Sequence, residues 1–258
     1  MSLTRVLAQT LAVAEADIRK LRHDPLELVT RMVQPMLWLL IFGEVFAGSR
    51  AIPTGNIGYL EFIAPGILAQ SVLFVAIFYG ISAIWERDLG ILQKYLVSPV
   101  PRAGLVLGRA LSSGVRGLSQ GVVIYLLAFA LGVRMNIEIG SLALVIVTVM
   151  LGSAIFSTFS LIAACIVKTR ERFMGIGQVL TMPLFFASNA IYPLAMMPPW
   201  LQSIAAANPL TYQVDALRAL MIQGGSSAFG LGVDYAVQVA VLVLLTAIAT
   251  RLYPRIIN

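Results

Sequence analysis

Apolar runs of roughly 20 residues recur along the chain, separated by short polar stretches, and a helix needs that length to cross the hydrocarbon core of a bilayer. Six runs can be placed, at approximately Leu28–Phe46, Phe62–Ala83, Leu105–Leu131, Ser141–Val167, Met174–Tyr192 and Val233–Leu252. Apolar and polar residues do not alternate within them, so the pattern predicts helices and not the strands of a barrel. A segment of another kind precedes the first run. Leu3, Leu7, Leu11, Ala14, Ile18 and Leu21 recur at helical spacing, and Arg5, Gln9, Glu15, Asp17, Arg19, Lys20 and Arg22 fill the other faces. This predicts an amphipathic helix over 1–24 lying in the membrane interface, with Arg19, Lys20 and Arg22 as its basic flank. An ordinary solvent-side helix is the alternative. Asp24-Pro25 closes it, because the residue before proline resists helical geometry. No short apolar core with a small-residue cleavage site precedes the first run, so no cleavable signal is expected.

Composition agrees with the pattern. Of 258 residues, 59% are hydrophobic and 12% charged, against about a quarter charged in an ordinary soluble domain. A soluble enzyme, a disordered chain and a disulfide-stapled secreted domain are excluded. Single Cys165 and single His23 exclude an internal disulfide and argue against a Cys- or His-rich metal cage. None of Lys20, Lys94 and Lys168 follows a glycine, so the chain lacks the Gly-Lys-Ser/Thr loop that cradles nucleotide phosphates.

The basic residues set the expected topology. With the N-terminus in the cytoplasm, fifteen of the eighteen lie inside, and only Arg50, Arg134 and Arg218 fall outside. This is the positive-inside asymmetry of a multi-pass protein with both termini cytoplasmic. The net charge of +6 is then topogenic and not a nucleic-acid footprint.

Two loops stand out. The inner loop after the second run holds Glu86, Arg87, Asp88, Gly90, Leu92, Lys94, Ser98 and Pro99; Leu89, Leu92 and Leu96 share a helical stripe, and Pro99 and Pro101 end it. This is a short amphipathic helix suited to docking a cytoplasmic partner, or a plain connecting loop. The outer segment Pro193 to Gly232 holds Pro193, Pro198-Pro199-Trp200 and Asn208-Pro209, with apolar pieces too short to cross; these predict outer-leaflet re-entrant helices or a simple cap. Tyr192 and Trp200 suit the outer aromatic belt.

Taken in order, these features resemble the ABC-2 family of ATP-binding-cassette transporter permeases, in the branch of daunorubicin-resistance and polysaccharide-export permeases. The match is carried by Glu86-Arg87-Asp88-Leu89-Gly90 with Leu92 and Lys94, Leu96-Val97-Ser98-Pro99-Val100, Ala190-Ile191-Tyr192-Pro193, Met197-Pro198-Pro199-Trp200 and Asn208-Pro209-Leu210-Thr211-Tyr212. The resemblance implies an all-α fold: a six-span domain over 25–258, with an inner coupling helix that fits a cleft on a separate ATPase. It implies two nucleotide-binding subunits and a second permease, read as a homodimer, in a prokaryotic plasma (inner) membrane. ATP and Mg would be bound by the partner, with no cofactor in this chain. The transported molecule is expected to be an amphiphile (drug, lipid or lipid-linked glycan). Glu86 and Arg87 would set charge register at the docking surface and Leu92 would anchor it. Spans one and five tend to line the path or the dimer contact in this family, which makes Gln34, Pro35 and Trp38, and Pro183, Phe185, Phe186, Ser188 and Asn189, candidates. Arg116, two to three turns inside the third run, can face a cavity or a partner rather than lipid, with a structural role as the alternative.

Two other classes compete. A secondary transporter or channel is disfavoured because no carboxylate lies at mid-depth in the runs. A membrane-embedded lipid-modifying enzyme is disfavoured because no acid, His and Ser cluster gathers at one face. Small residues in the third run (Ala110, Gly114, Gly117, Gly121 and Ala128) predict close helix packing, within the subunit before a subunit interface.

Overall fold

A computed structural model describes residue 30 and residues 33–49, 52, 54, 57–90, 102–167 and 169–253. The expected interfacial helix with Arg19, Lys20 and Arg22, and Leu92, Lys94, Ser98 and Pro99 of the inner loop, lie outside the described residues. Among the described residues every regular element is helical. They are α1 (33–49), α2 (Tyr59–Tyr79), α3 (Ile81–Asp88), α4 (Arg102–Ala130), α5 (Ile139–Ile166), α6 (Arg170–Phe186), α7 (Pro199–Ala207), α8 (Pro209–Met221) and α9 (Leu231–Leu252). An antiparallel bridge, Met135 to Ile222, ties the turn after α4 to the end of α8.

Among the described residues, four stretches are long and apolar enough to cross a membrane: Tyr59–Asp88 through α2 and α3, Gly104–Ala130, Ile139–Ile166 and Leu231–Leu252. The first and fifth sequence runs appear as shorter helices. Val33–Phe46 is apolar but short. The 17 residues of α6 span about 26 Å at ~1.5 Å per residue, somewhat less than the ~30 Å core. The sequence run extends to Tyr192, but α6 stops at Phe186, three residues beyond a proline that cannot donate a backbone hydrogen bond. In α1 a π-helical turn, Trp38–Gly43, begins three residues after Pro35.

Helix α2 is the axis of the bundle and is buried almost all round, against α4, α5 and α8. With no hydrophobic force between helices in lipid, close approach depends on small side chains. A methyl group at Gly66 would collide with the Ala190 backbone, and one at Gly80 with Ser160 of α5. The small stripe of α4 packs inside the subunit: Gly114 faces Met150, and Gly117 faces Ser153 and Val149, all on α5. The outer segment folds as a helical corner. Helix α7 is mostly exposed, whereas α8 is buried along most of its length against α2, α5 and α9.

Candidate functional site

The root of the inner loop is built on α3. Glu86 points inward, 8% exposed, and its carboxylate forms an ion pair with the Arg109 guanidinium of α4, itself 7% exposed. Arg109 Nη1 also donates to Ser82 Oγ at 3.4 Å. Sequence reading assigns Glu86 to the docking surface; the structure turns it, with Arg109, into the bundle. Removing a charge from water is costly, and each one stays buried because the other is there.

The more exposed charges of α3 lie one and two residues further along the chain. Arg87 Nη2 meets Asp88 Oδ1 at 3.0 Å, and Arg170, the first residue of α6, meets Asp88 Oδ2 at 3.0 Å through Nε and 2.9 Å through Nη2. The Arg170 guanidinium stacks 3.6 Å from the Trp85 ring centroid, a cation–π contact. Thr169 starts α6 by accepting a hydrogen bond from the Arg172 amide at 3.4 Å. One carboxylate and one indole of α3 therefore hold the inner end of α6. Gly90 follows with a φ of 68°, the left-handed region that glycine enters freely.

At the other end of α6, the aromatic candidates converge. Trp38 of α1 sits edge-on to Phe185 at 5.7 Å and to Phe186 at 6.5 Å, and stacks on Phe42 at 4.3 Å. Gln34 and Pro183 lie on exposed surface, while Pro35 is buried. Ser188 and Asn189 are buried in the turn that follows: Ser188 Oγ donates to the Phe185 carbonyl at 2.7 Å, and the Asn189 carbonyl accepts from Arg218 at 2.8 Å. Arg116 is 8% exposed, with its guanidinium 4.8 Å from the Tyr79 ring of α2. It therefore faces its own bundle.

The outer corner has its own logic. Tyr192 donates to the Phe186 carbonyl. Pro193 precedes a 3-10 turn, Pro198 and Pro199 open α7, and Trp200 is exposed. Asn208 joins two helices: its Oδ1 accepts from the Leu210 amide at 3.0 Å, while its Nδ2 donates to the Leu184 and Ala187 carbonyls at 2.7 and 3.1 Å. Pro209 occupies the first turn of α8, where a missing N–H costs nothing.

Four polar features escape sequence reading. Arg218 is buried in α8, 3.8 Å from the Phe62 ring. Asp215 accepts from the Phe229 amide at 3.0 Å and contacts Ser227 Oγ at 2.8 Å. Asp234, in the first turn of α9, is 0% exposed and lies 2.7 Å from the same Ser227 Oγ. Gln70 lies deep in α2. The signal for Gln70 was present, as a lone carboxamide in an apolar run; the Arg218 and Asp215 contacts depend on how α8 docks.

A family model described as ABC-2 type transporter matches residues 8–222. The chain is 32% identical over 204 residues to a putative transport permease, ycf38, of Cyanophora paradoxa, covering 78% of this chain and 70% of that one. It is 25% identical over 233 residues to the daunorubicin resistance ABC transporter permease protein DrrB1 of Streptomyces coeruleorubidus, covering 90% and 81%. It is 26% identical over 197 residues to the inner membrane transport permease YadH of Escherichia coli K12, covering 74% and 73%.

Proposed function

Because this chain belongs to the ABC-2 type transporter family, a family of membrane permeases, we propose that it is the transmembrane subunit of an exporter powered by ATP hydrolysis on separate subunits. In this reading two copies of the permease assemble with two ATPases in a plasma (inner) membrane. The whole chain crosses six times, α1 and α6 supplying the first and fifth crossings. The inner loop after α3 docks in a cleft of the ATPase, presenting Arg87, Asp88, Gly90, Leu92, Lys94, Ser98 and Pro99. The cargo is an amphiphile, moved outward from the cytoplasm or the inner leaflet. ATP and Mg belong to the partner, and this chain holds the path.

The observation that carries the reading is the Asp88–Arg170 ion pair. It links the root of the docking loop to the inner end of α6, whose outer end carries the aromatic contacts with α1. Closure of the ATPases then pushes α3, and α6 receives that push through a charged contact and not through lipid. A ligand-biased two-state element is the minimum such a pump needs.

Affinity purification of the full chain from its host membrane is expected to recover a nucleotide-binding subunit in equal proportion. With that subunit in vesicles, Leu92→Asp should lower transport at least tenfold and leave membrane insertion unchanged. Recovery of the chain without any ATPase, or transport that proceeds without ATP, overturns the reading in favour of a secondary transporter.

A further inference from the structure

A cavity of about 480 Å³ opens between α1, α2 and α6. Its polar wall is made of three carboxamides, Gln34 from α1, Gln70 from α2 and Gln178 from α6, with Thr30 and Ser71, whose hydroxyl already donates to the Ile67 carbonyl at 2.7 Å. Gln70 is 2% exposed, and neither its Nε2 nor its Oε1 has a hydrogen-bond partner among the described residues. A buried amide without partners has given up its hydrogen bonds to water, so a group that enters the cavity and answers Gln70 recovers them. No charged side chain lines the cavity among the described residues. An ionic headgroup would be stripped of water there without a counter-charge. A carboxamide offers two N–H donors and one acceptor oxygen, the complement of groups that both donate and accept, such as hydroxyls and amides.

A second cavity, of about 340 Å³, shares Thr30 and Gln34 with the first and continues along α1 past Leu37, Trp38 and Ile41. Leu37 and Ile41 are half exposed there. A polar chamber thus opens onto an apolar track, the outline of an amphiphile with head and tail separated.

We infer that the carboxamide chamber binds the headgroup of the transported molecule, that this headgroup is neutral and rich in hydroxyl or amide groups, and that the tail lies along α1 beside Trp38. The inference deepens the permease reading and rests on it.

Trp38 supplies the readout. The chain has three tryptophans, so Trp85→Phe with Trp200→Phe leaves Trp38 as the sole indole. This full-length protein, in phosphatidylcholine nanodiscs, is titrated with dodecyl maltoside brominated on its tail, and with the equally brominated dodecyl phosphate. The maltoside is expected to quench Trp38 saturably, with the phosphate binding at least tenfold more weakly. Gln70→Leu should weaken maltoside binding at least tenfold while leaving the melting temperature unchanged or raised, since it removes an unanswered amide. Gln178→Leu, on the rim, should weaken binding with no effect on folding and serves if Gln70→Leu does not fold. Equal binding of the two heads, quenching that never saturates, or unchanged affinity in the folded variants overturns the inference; the last means that ordered water alone satisfies Gln70. No ATPase enters this assay, so its failure leaves the permease reading standing. A failure to recover an ATPase, in turn, leaves a measured headgroup site intact.

Discussion

Glu86 and Arg109 show what a single residue does at the inner end. Both are buried, and each justifies the burial of the other. Removing either one as alanine is expected to destabilise the chain by about 3–5 kcal/mol, because a buried charge is left alone. Replacing both with residues of similar volume, Glu86→Gln with Arg109→Met, should cost much less. Thermal unfolding of the detergent-solubilised variants measures this, and equal losses for single and double variants would remove the pair as the cause. The two residues are 23 positions apart on different helices, so no spacing rule joins them in the sequence. Glu86 reads there as one more charge in a polar loop. Asn208-Pro209 is the opposite case. A side-chain acceptor followed by proline is a helix start by local chemistry alone, and α8 begins there. What the sequence hides is the second hand of Asn208, which reaches α6.

At the scale of elements, α3 and α6 are joined by exposed charges and α1 and α6 by rings. Exposed ion pairs contribute roughly 0–1 kcal/mol to stability. Arg170→Ala is therefore expected to leave the melting temperature almost unchanged. If α6 receives the stroke of α3 through Asp88, the same variant should lower ATP-driven transport at least fivefold in reconstituted vesicles while ATP hydrolysis persists. Parallel loss of both activities, or of neither, would place the transmission elsewhere. The extents of α2, α4, α5 and α9 are legible from apolar run length, because lipid leaves a backbone no other way to satisfy itself. The end of α6 is less so. Its apolar run continues to Tyr192, yet the backbone turns after Phe186, since Ser188 and Asn208 capture the last carbonyls. The convergence of Trp38 on Phe185 and Phe186 follows from how α1 lies against α6, which periodicity does not encode.

At the scale of the whole molecule, the basic residues predict which side each loop faces. Cys165 is the single cysteine, so a Cys165→Ser background accepts one reporter at a time. Cysteine at position 94 should react with a membrane-impermeant maleimide only in inside-out vesicles, and cysteine at position 200 only in intact cells. The reverse result would invert the topology and with it the direction of transport. The charge asymmetry is legible because it is a sum over loops and needs no packing. The carboxamide chamber is not, because its three glutamines stand on three helices and each looks alone like a polar residue tolerated in an apolar run.

Asn208 leaves one consequence for motion. Its side chain answers two carbonyls at the end of α6 and one amide at the start of α8. Sliding one helix against the other would take the donor from both carbonyls in the same instant, while the bond to the Leu210 amide moves with α8. The outer end of α6 and the root of α8 therefore travel as a unit, and with α8 pinned through Arg218 to the turn at Asn189 and to Phe62 of α2, that unit is welded to the axis of the bundle.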